Sequence, residues 1–394
     1  MLDKLRAFVS EEAVLVVAVA AAALSCALIP FDGAYASYID WRTLALLFSL
    51  MAVVTGLRFL GVMRLAGQWV VSHASSARAL GLLLVVLAFF SSMAVTNDVA
   101  LITFVPLALV VLSEARLERF AAPVVVLMTV AANLGSMLLP VGNPQNLYLY
   151  QASGMSFSRF ALLMAPASLL SLVLLAASAL WVLRGGTGKS ERRAFHMPGK
   201  PSTSSICLLV GYLVLFALCI LAVAGLVDAF ILAPVVAVLM LAFDRRALLK
   251  VDYGLLLTFV ALFVFVGNMA RVPAVSDLLS ATVGAAPFYA AVCSSQLISN
   301  VPAAVLLSGF TENWPALIVG TNIGGLGTPI ASMASLISFK IATASGMVGE
   351  GTLPCGVRGM ECGLPCCAVR GECGFWVGLS AKRRCFIDQA ALDA

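Results

Sequence analysis

Long apolar runs, parted by short polar breaks, fill most of this chain. A spanning helix needs ~20 apolar residues at ~1.5 Å each, and the runs at 13–30, 43–63, 121–140, 161–183, 206–226, 229–243 and 254–270 are candidate spans. A further run, 315–339, is interrupted by glycines. Two stretches behave differently. Residues 79–113 are broken by Thr96-Asn97-Asp98, and residues 278–310 by Ser299-Asn300-Val301-Pro302. Each reads as two crossings or as one re-entrant hairpin. The polar break favours the hairpin, because unpaired backbone at membrane depth is tolerated only where protein or a water-filled cavity surrounds it.

Composition points the same way. Of 394 residues, 62% are hydrophobic and 11% charged, whereas a soluble domain keeps roughly 25% charged residues. The net charge of +5 is no sign of nucleic acid, because the basic residues sit in short loops between apolar runs. It is topology information. With the N-terminus inside and both broken stretches taken as hairpins, only Arg42, Arg159 and Arg271 fall outside; every other Lys and Arg through Lys340 falls inside. The expected protein is a multi-pass protein of the cell inner (plasma) membrane with a cytoplasmic N-terminus. The first run, although it follows Lys4 and Arg6, reads as an uncleaved helix because similar runs follow it. Segment 64–78 is too polar to span and reads as an interfacial helix anchored by Trp69. His73 within it and His196 in the basic loop read as bystanders.

The two halves echo each other. Thr96-Asn97-Asp98 is followed by Asn133, Gly135, Ser136, Pro140 and Asn143; Ser299-Asn300-Val301 is followed by Asn322, Gly324, Thr328, Pro329 and Ser332. Asn, Gly and Pro recur at identical spacing, 133, 135 and 140 against 322, 324 and 329. The fold expected is an all-α polytopic membrane protein of two inverted repeats. The first covers 1–183, with an inward hairpin at 79–113, a broken helix at 121–146 and a helix at 161–183. A basic cytoplasmic linker follows at 184–205. The second repeat covers 206–345, with an outward hairpin at 278–310 and a broken helix at 315–339. Repeats of opposite orientation mark alternating-access transporters.

Residue types supply the chemistry. Asn, Ser and Thr offer neutral oxygens and donors without the cost of a buried charge. Gly and Pro interrupt helices and free backbone groups, so that carbonyls can coordinate a cation while half-helix N-termini hold an anion. The candidate binding residues are therefore Thr96, Asn97, Asp98, Asn133, Gly135, Ser136, Asn143, Ser299, Asn300, Asn322, Gly324, Thr328 and Ser332, with Na⁺ the one metal considered, at Asn97 and Asn300. Asp98 is the carboxylate at a mid-membrane break, placed to accept a proton, to complete a cation site, or to cap the following helix. Its counterpart is Val301, so the two sites are chemically unequal.

Through SMAVTNDVALITFVPLAL, NLGSMLLPVGNPQNLYLY, SSQLISNVPAAVLLS and GTNIGGLGTPIASMASLISFK, the chain resembles the citrate-transporter-like group of the ion-transporter superfamily. That group includes divalent-anion/sodium symporters, arsenite permeases and a branch of sodium/proton antiporters, and the likeness covers about residues 10–345. It implies two inverted repeats, opposed hairpins and a homodimer. Its Ser-Asn-Thr tip motif maps onto Thr96-Asn97-Asp98 and Ser299-Asn300-Val301, with Asp98 and Val301 standing where the motif has Thr. The Asn-Asp pair is closer to the arsenite-permease branch.

The function expected is secondary active transport of a small anion, a di- or tricarboxylate or an inorganic oxyanion, coupled to Na⁺ or H⁺, with no other cofactor. Arsenite efflux or sodium/proton exchange on the same scaffold is the alternative. The partners expected are the anionic substrate, the lipid bilayer and a second copy of the chain, not nucleic acid. An enzyme is not expected, since neither a His-Glu-x-x-His nor a Gly-x-Ser-x-Gly motif occurs. A different composition begins after residue 345. Six of the ten cysteines crowd into 355–385 without Cys-x-x-Cys spacing, and no run there is long enough to span. Segment 346–394 reads as the product of a reading-frame shift in a GC-rich gene, which removes the last helix of the second repeat.

Overall fold

The computed structural model describes residues 12–72, 74, 76–184, 203–328 and 330–346. His73, His196, Pro329 and the cysteine-rich segment lie outside the described residues, as does most of the basic linker. Every regular element among the described residues is helical. Among the described residues, seven helices are long and apolar enough to cross a membrane, or eight if one sharply bent pair counts as a span. This is a multi-pass membrane protein.

In the first half, α1 is Ala13–Leu28 and α2 is Trp41–Phe59. Asp40 starts α2 by accepting the Thr43 N–H at 3.0 Å. The apolar run 43–63 then turns at Gly61, whose φ of 75° suits glycine, into α3, Val62–Ser72. Segment 64–78 is thus largely helical, with Trp69 exposed, and α3 packs against the following helices. Those are α4, Ala77–Val95, and α5, Asn97–Glu114, joined by Thr96 alone. Next come α6, Ala121–Ser136, and, beyond a break, α7, Pro144–Ser153; the half closes with α8, Phe157–Val182.

The second half runs α9 (Thr203–Val223), α10 (Ala229–Phe243), α11 (Tyr253–Ala270), α12 (Pro273–Ala285), α13 (Pro287–Ile298) and α14 (Asn300–Ser308). It ends with α15 (Trp314–Gly324) and α16 (Met333–Ala344). Lengths distinguish the two broken stretches. At ~1.5 Å per residue, α4 and α5 are each ~27 Å or more, long enough to cross singly. Helices α13 and α14 are only ~18 and ~14 Å long on the same rise, and α12 meets α13 at 113°.

Packing crosses between the halves. Helix α1 lies along α11, and α2 along α10. Asn268 on α11 donates to Ser25 Oγ at 2.9 Å and to the Tyr35 hydroxyl at 3.0 Å. Nearby, Arg271 pairs with Asp32 at 2.8 Å. The helices after the breaks are exchanged: α7 packs on α14 and α15 of the second half, while α16 packs on α5 and α6 of the first. One apolar core gathers around α4, α5 and α6 with Leu84, Phe89, Phe104 and Leu127; the other joins α1, α2 and α7 to α9–α11 and α14.

Helix α8 packs along α4 and α6 in the first half, where Val95 and Val141 are 3% and 4% exposed. The residues at matching positions of the second half, Ile298 and Ile330, are 41% and 63% exposed.

Candidate functional site

Both helix breaks before the paired asparagines use the same unusual backbone. Thr96 has φ 72° and ψ 150°; Ser299 has φ 74° and ψ 156°. This region is nearly glycine's alone and costs on the order of 1–3 kcal/mol for a residue with a side chain. The strain lets one helix stop and the next begin without a loop. Neither residue's side chain caps the helix it introduces.

The first tip is held by Asn133. Asn97 Nδ2 donates to Asn133 Oδ1 at 2.9 Å, and Ser332 Oγ donates to the same oxygen at 2.8 Å. Asn133 Nδ2 donates in turn to the Thr129 carbonyl and to Ser335 Oγ, both at 3.2 Å. One turn further along, Thr129 Oγ1 and Ser338 Oγ are 2.6 Å apart. All six side chains are buried.

A matching knot surrounds Asn322. Its Oδ1 accepts from Asn143 Nδ2 at 3.3 Å, and its Nδ2 donates to Asn146 Oδ1 at 2.6 Å and to the Ile318 carbonyl at 2.8 Å. Asn143 also caps α7 by accepting the Asn146 N–H at 2.9 Å. The numbering makes the correspondence plain. Asn133 bonds residues 10 and 13 positions after Asn322, namely Ser332 and Ser335; Asn322 bonds residues 10 and 13 positions after Asn133, namely Asn143 and Asn146. Each broken helix is therefore tied to the far side of the other half's break.

The two glycines of the motif repeat this correspondence. A Cβ on Gly135 would run into the Phe89 carbonyl and Ser92 of α4, and one on Gly324 would crowd Ser295 and Val292 of α13. These glycines are close-approach positions, and they bring each tip-bearing helix against its broken helix.

The knots form one lattice. Ser136 Oγ donates to the Asn133 carbonyl at 2.9 Å and accepts from Asn143 Nδ2 at 3.2 Å. At the second tip, the Asn300 N–H donates to the Ala331 carbonyl at 2.9 Å, and Ser299 Oγ donates to that carbonyl at 3.3 Å. Ala331 precedes Ser332, so Asn97 and Asn300 are linked through Asn133 and this short stretch of chain. Thr328 Oγ1 donates to the Gln296 carbonyl at 3.3 Å. Asp98 stands in the first turn of α5, with its Oδ1 buried and without a partner, as is Asn97 Oδ1. Among the described residues no three His, Cys, Asp or Glu side chains gather to hold a metal.

All thirteen sequence-predicted residues lie at the two tips and the two breaks. The reading missed Asn146 and Ser335, which the shared 13-residue spacing from Asn133 and Asn322 would have revealed. It also missed Thr129, Ser338 and Gln296, whose only sequence signal is a polar residue in an apolar helix.

The citrate transporter family profile matches residues 7–313. This protein belongs to the citrate transporter family. Inner membrane protein YbiR of Escherichia coli is 32% identical over 313 residues, covering 77% of this chain and 80% of that one. The uncharacterized transporter MJ0456 of Methanocaldococcus jannaschii is 31% identical over 318 residues, 79% of this chain and 84% of that one. The silicon efflux transporter LSI3 of rice is similar over a shorter region, 35% identical across 138 residues, 35% of this chain and 28% of that one.

Proposed function

We propose that this family member is a secondary active transporter of the inner membrane that carries a small anion, a di- or tricarboxylate or an inorganic oxyanion, coupled to Na⁺ or H⁺. The reading rests on one observation above the others: the reciprocal bonding of Asn133 and Asn322 to residues 10 and 13 positions beyond the other's break. A two-fold relation between segments 1–183 and 206–345 accounts for that reciprocity, for the matched backbone of Thr96 and Ser299, and for the exchange of α7 and α16. Inverted repeats of this kind carry their ligand where the broken helices meet, and rocking of one part against the other exposes the site alternately. In this reading the N-terminus is cytoplasmic and the transporter works as a homodimer.

The substrate would lie against the tips, where freed N–H groups at the start of α5 favour negative charge; at α14 the Asn300 N–H is taken by the Ala331 carbonyl. The coupling cation would take the unpartnered oxygens of Asn97 and Asp98. The carboxylate at the tip and the likeness to a silicon efflux transporter also support a second reading, oxyanion efflux driven by proton exchange.

Uptake into proteoliposomes, with and without an imposed Na⁺ or proton gradient, tests both. Gradient-driven accumulation of citrate or another small anion is expected, with Asn97→Ala and Asn300→Ala each abolishing it while still folding in the membrane. Normal transport by both variants would mean that the tips are not the site.

A further inference from the structure

Where α2 and α10 begin and α9 ends, a concavity of about 200 Å³ opens between Arg42 and the turn 225–230. It is smaller than the ~300–1,000 Å³ of pockets that enclose a whole small molecule, so it suits a headgroup whose remainder stays outside. Two opposite charges line it, Arg42 and Asp228. Arg42 has no hydrogen bond or ion pair among the described residues, whereas Arg271, at the same end of the bundle, is paired with Asp32. The Arg42 guanidinium lies over Gly225, where a Cβ would stand 3.9 Å from Nη2. Asp228 Oδ1 caps α10 by accepting the Phe230 N–H at 2.7 Å, which leaves Oδ2 without a partner among the described residues.

The rim is apolar and exposed. Trp41, Leu226, Phe230 and Ile231 are 53%, 75%, 59% and 65% exposed. On a multi-pass protein such side chains meet lipid, and a tryptophan at the end of a span marks the level of the headgroups. The two charges therefore stand at headgroup depth, beside a surface for acyl chains. An anion alone would meet the Asp228 carboxylate, and a cation alone would meet the Arg42 guanidinium. A zwitterion satisfies both.

We propose that this concavity is a lipid site for phosphatidylethanolamine, with the phosphate on Arg42, the ammonium on Asp228 Oδ2 and the acyl chains along Trp41, Leu226 and Phe230. The planar guanidinium matches phosphate geometry. A primary ammonium keeps N–H donors for the carboxylate, whereas choline has none. Phosphatidylglycerol brings no cation and sets its phosphate near an unanswered Asp228. None of the lining residues belongs to the two helix breaks, so the site is separate from the asparagine lattice. A lipid held there joins the start of α2 to the turn between α9 and α10, and it stabilises the folded protein by mass action.

Native mass spectrometry and thermal shift of the purified, delipidated full chain test this. The probes are phosphatidylethanolamine, phosphatidylcholine and phosphatidylglycerol with identical acyl chains, and glycerophosphoethanolamine as the soluble headgroup. The wild type is expected to bind phosphatidylethanolamine about fivefold or more tightly than either other lipid, and the chainless headgroup more weakly than the lipid. Arg42→Gln is expected to weaken phosphatidylethanolamine binding about fivefold. Asp228→Asn, which keeps an N-cap residue on α10, is expected to bring phosphatidylethanolamine and phosphatidylglycerol to within about twofold of each other. Arg159→Gln, at an exposed arginine outside the concavity, is the control expected to change nothing. Equal binding of the three lipids by the wild type, or a preference for phosphatidylglycerol, overturns the proposal, and that comparison needs no variant to fold. An undiminished preference in folded Arg42→Gln and Asp228→Asn proteins overturns it equally. Glycerophosphoethanolamine bound as tightly as the lipid would overturn the assignment to the bilayer.

Discussion

Asn322 offers the sharpest test of whether the crossed lattice holds the two halves together. Leucine at this position has the same branched outline, is somewhat larger and has no polar atoms. Three bonds are lost: those from Asn143 Nδ2, to Asn146 Oδ1 and to the Ile318 carbonyl. The Ile318 carbonyl sits within α15 and keeps its helical environment. Asn143 Nδ2 retains Ser136 Oγ for one of its two hydrogens. Asn146 Oδ1 is left with no partner, and one Asn143 hydrogen likewise. Two orphaned groups at about 1–3 kcal/mol each predict a loss of about 2–6 kcal/mol. Interhelical bonds within bilayers average only about 0.6 kcal/mol, because the unfolded chain in the membrane also finds partners. The lower part of that range, about 2 kcal/mol, is therefore expected. Replacing both members of the shortest bond, Asn146→Leu with Asn322→Leu, removes acceptor and donor together. That double variant should recover less than half of the single variant's loss, since the Asn143 hydrogen stays orphaned and the Ser136 and Met137 carbonyls lose their bonds from Asn146 Nδ2. Reversible unfolding in detergent or bicelles measures all three proteins, with proteoliposome uptake measured alongside. Recovered stability with transport still lost would separate the structural part of the lattice from its functional part. An Asn322→Leu protein as stable as the wild type, with no coupling to Asn146, would refute the reasoning.

Gly135→Ala should destabilise the protein by about 1–3 kcal/mol, since the new Cβ meets the Phe89 carbonyl, which cannot move aside; Gly211→Ala, with open space at its Cβ, is the control expected to hold or gain stability in the same unfolding assay. Thr96→Gly and Ser299→Gly should relieve tip strain and leave stability unchanged or raised by about 1 kcal/mol, and a clear loss in either would show that the hydroxyl matters more than the backbone. Asp98→Asn should alter the pH or Na⁺ dependence of gradient-driven uptake, and unchanged dependence would reduce Asp98 to capping α5. Hydrogen bonding by Arg271, first among the causes, holds the Asp32 carboxyl below its ordinary value of 3.8. The link between α1 and α11 is thus intact above that value and is lost as the pH falls through the depressed one. Thermal stability followed downward from about pH 5 should show an acid-side loss that Asp32→Asn lacks.

Sequence alone determined the helices and their breaks. Apolar runs of spanning length leave the backbone no choice but helix in lipid. Gly, Pro and Asn in a row mark where the helix stops, so that Ser136, Asn143 and Gly324 were visible as break residues before any contact was known. The matched spacing of 133, 135 and 140 with 322, 324 and 329 was equally open to inspection. These signals are local. What only the tertiary structure decided is which side chain answers which. The bonds of Asn133 to Ser332 and Ser335, and of Asn322 to Asn143 and Asn146, join residues between 176 and 202 positions apart. They exist because α7 and α16 change places between the halves. No local pattern announces that exchange. Nor does sequence reveal that Thr96 and Ser299 hold a backbone conformation suited to glycine, since both are ordinary residues whose strain is imposed by the helices on either side.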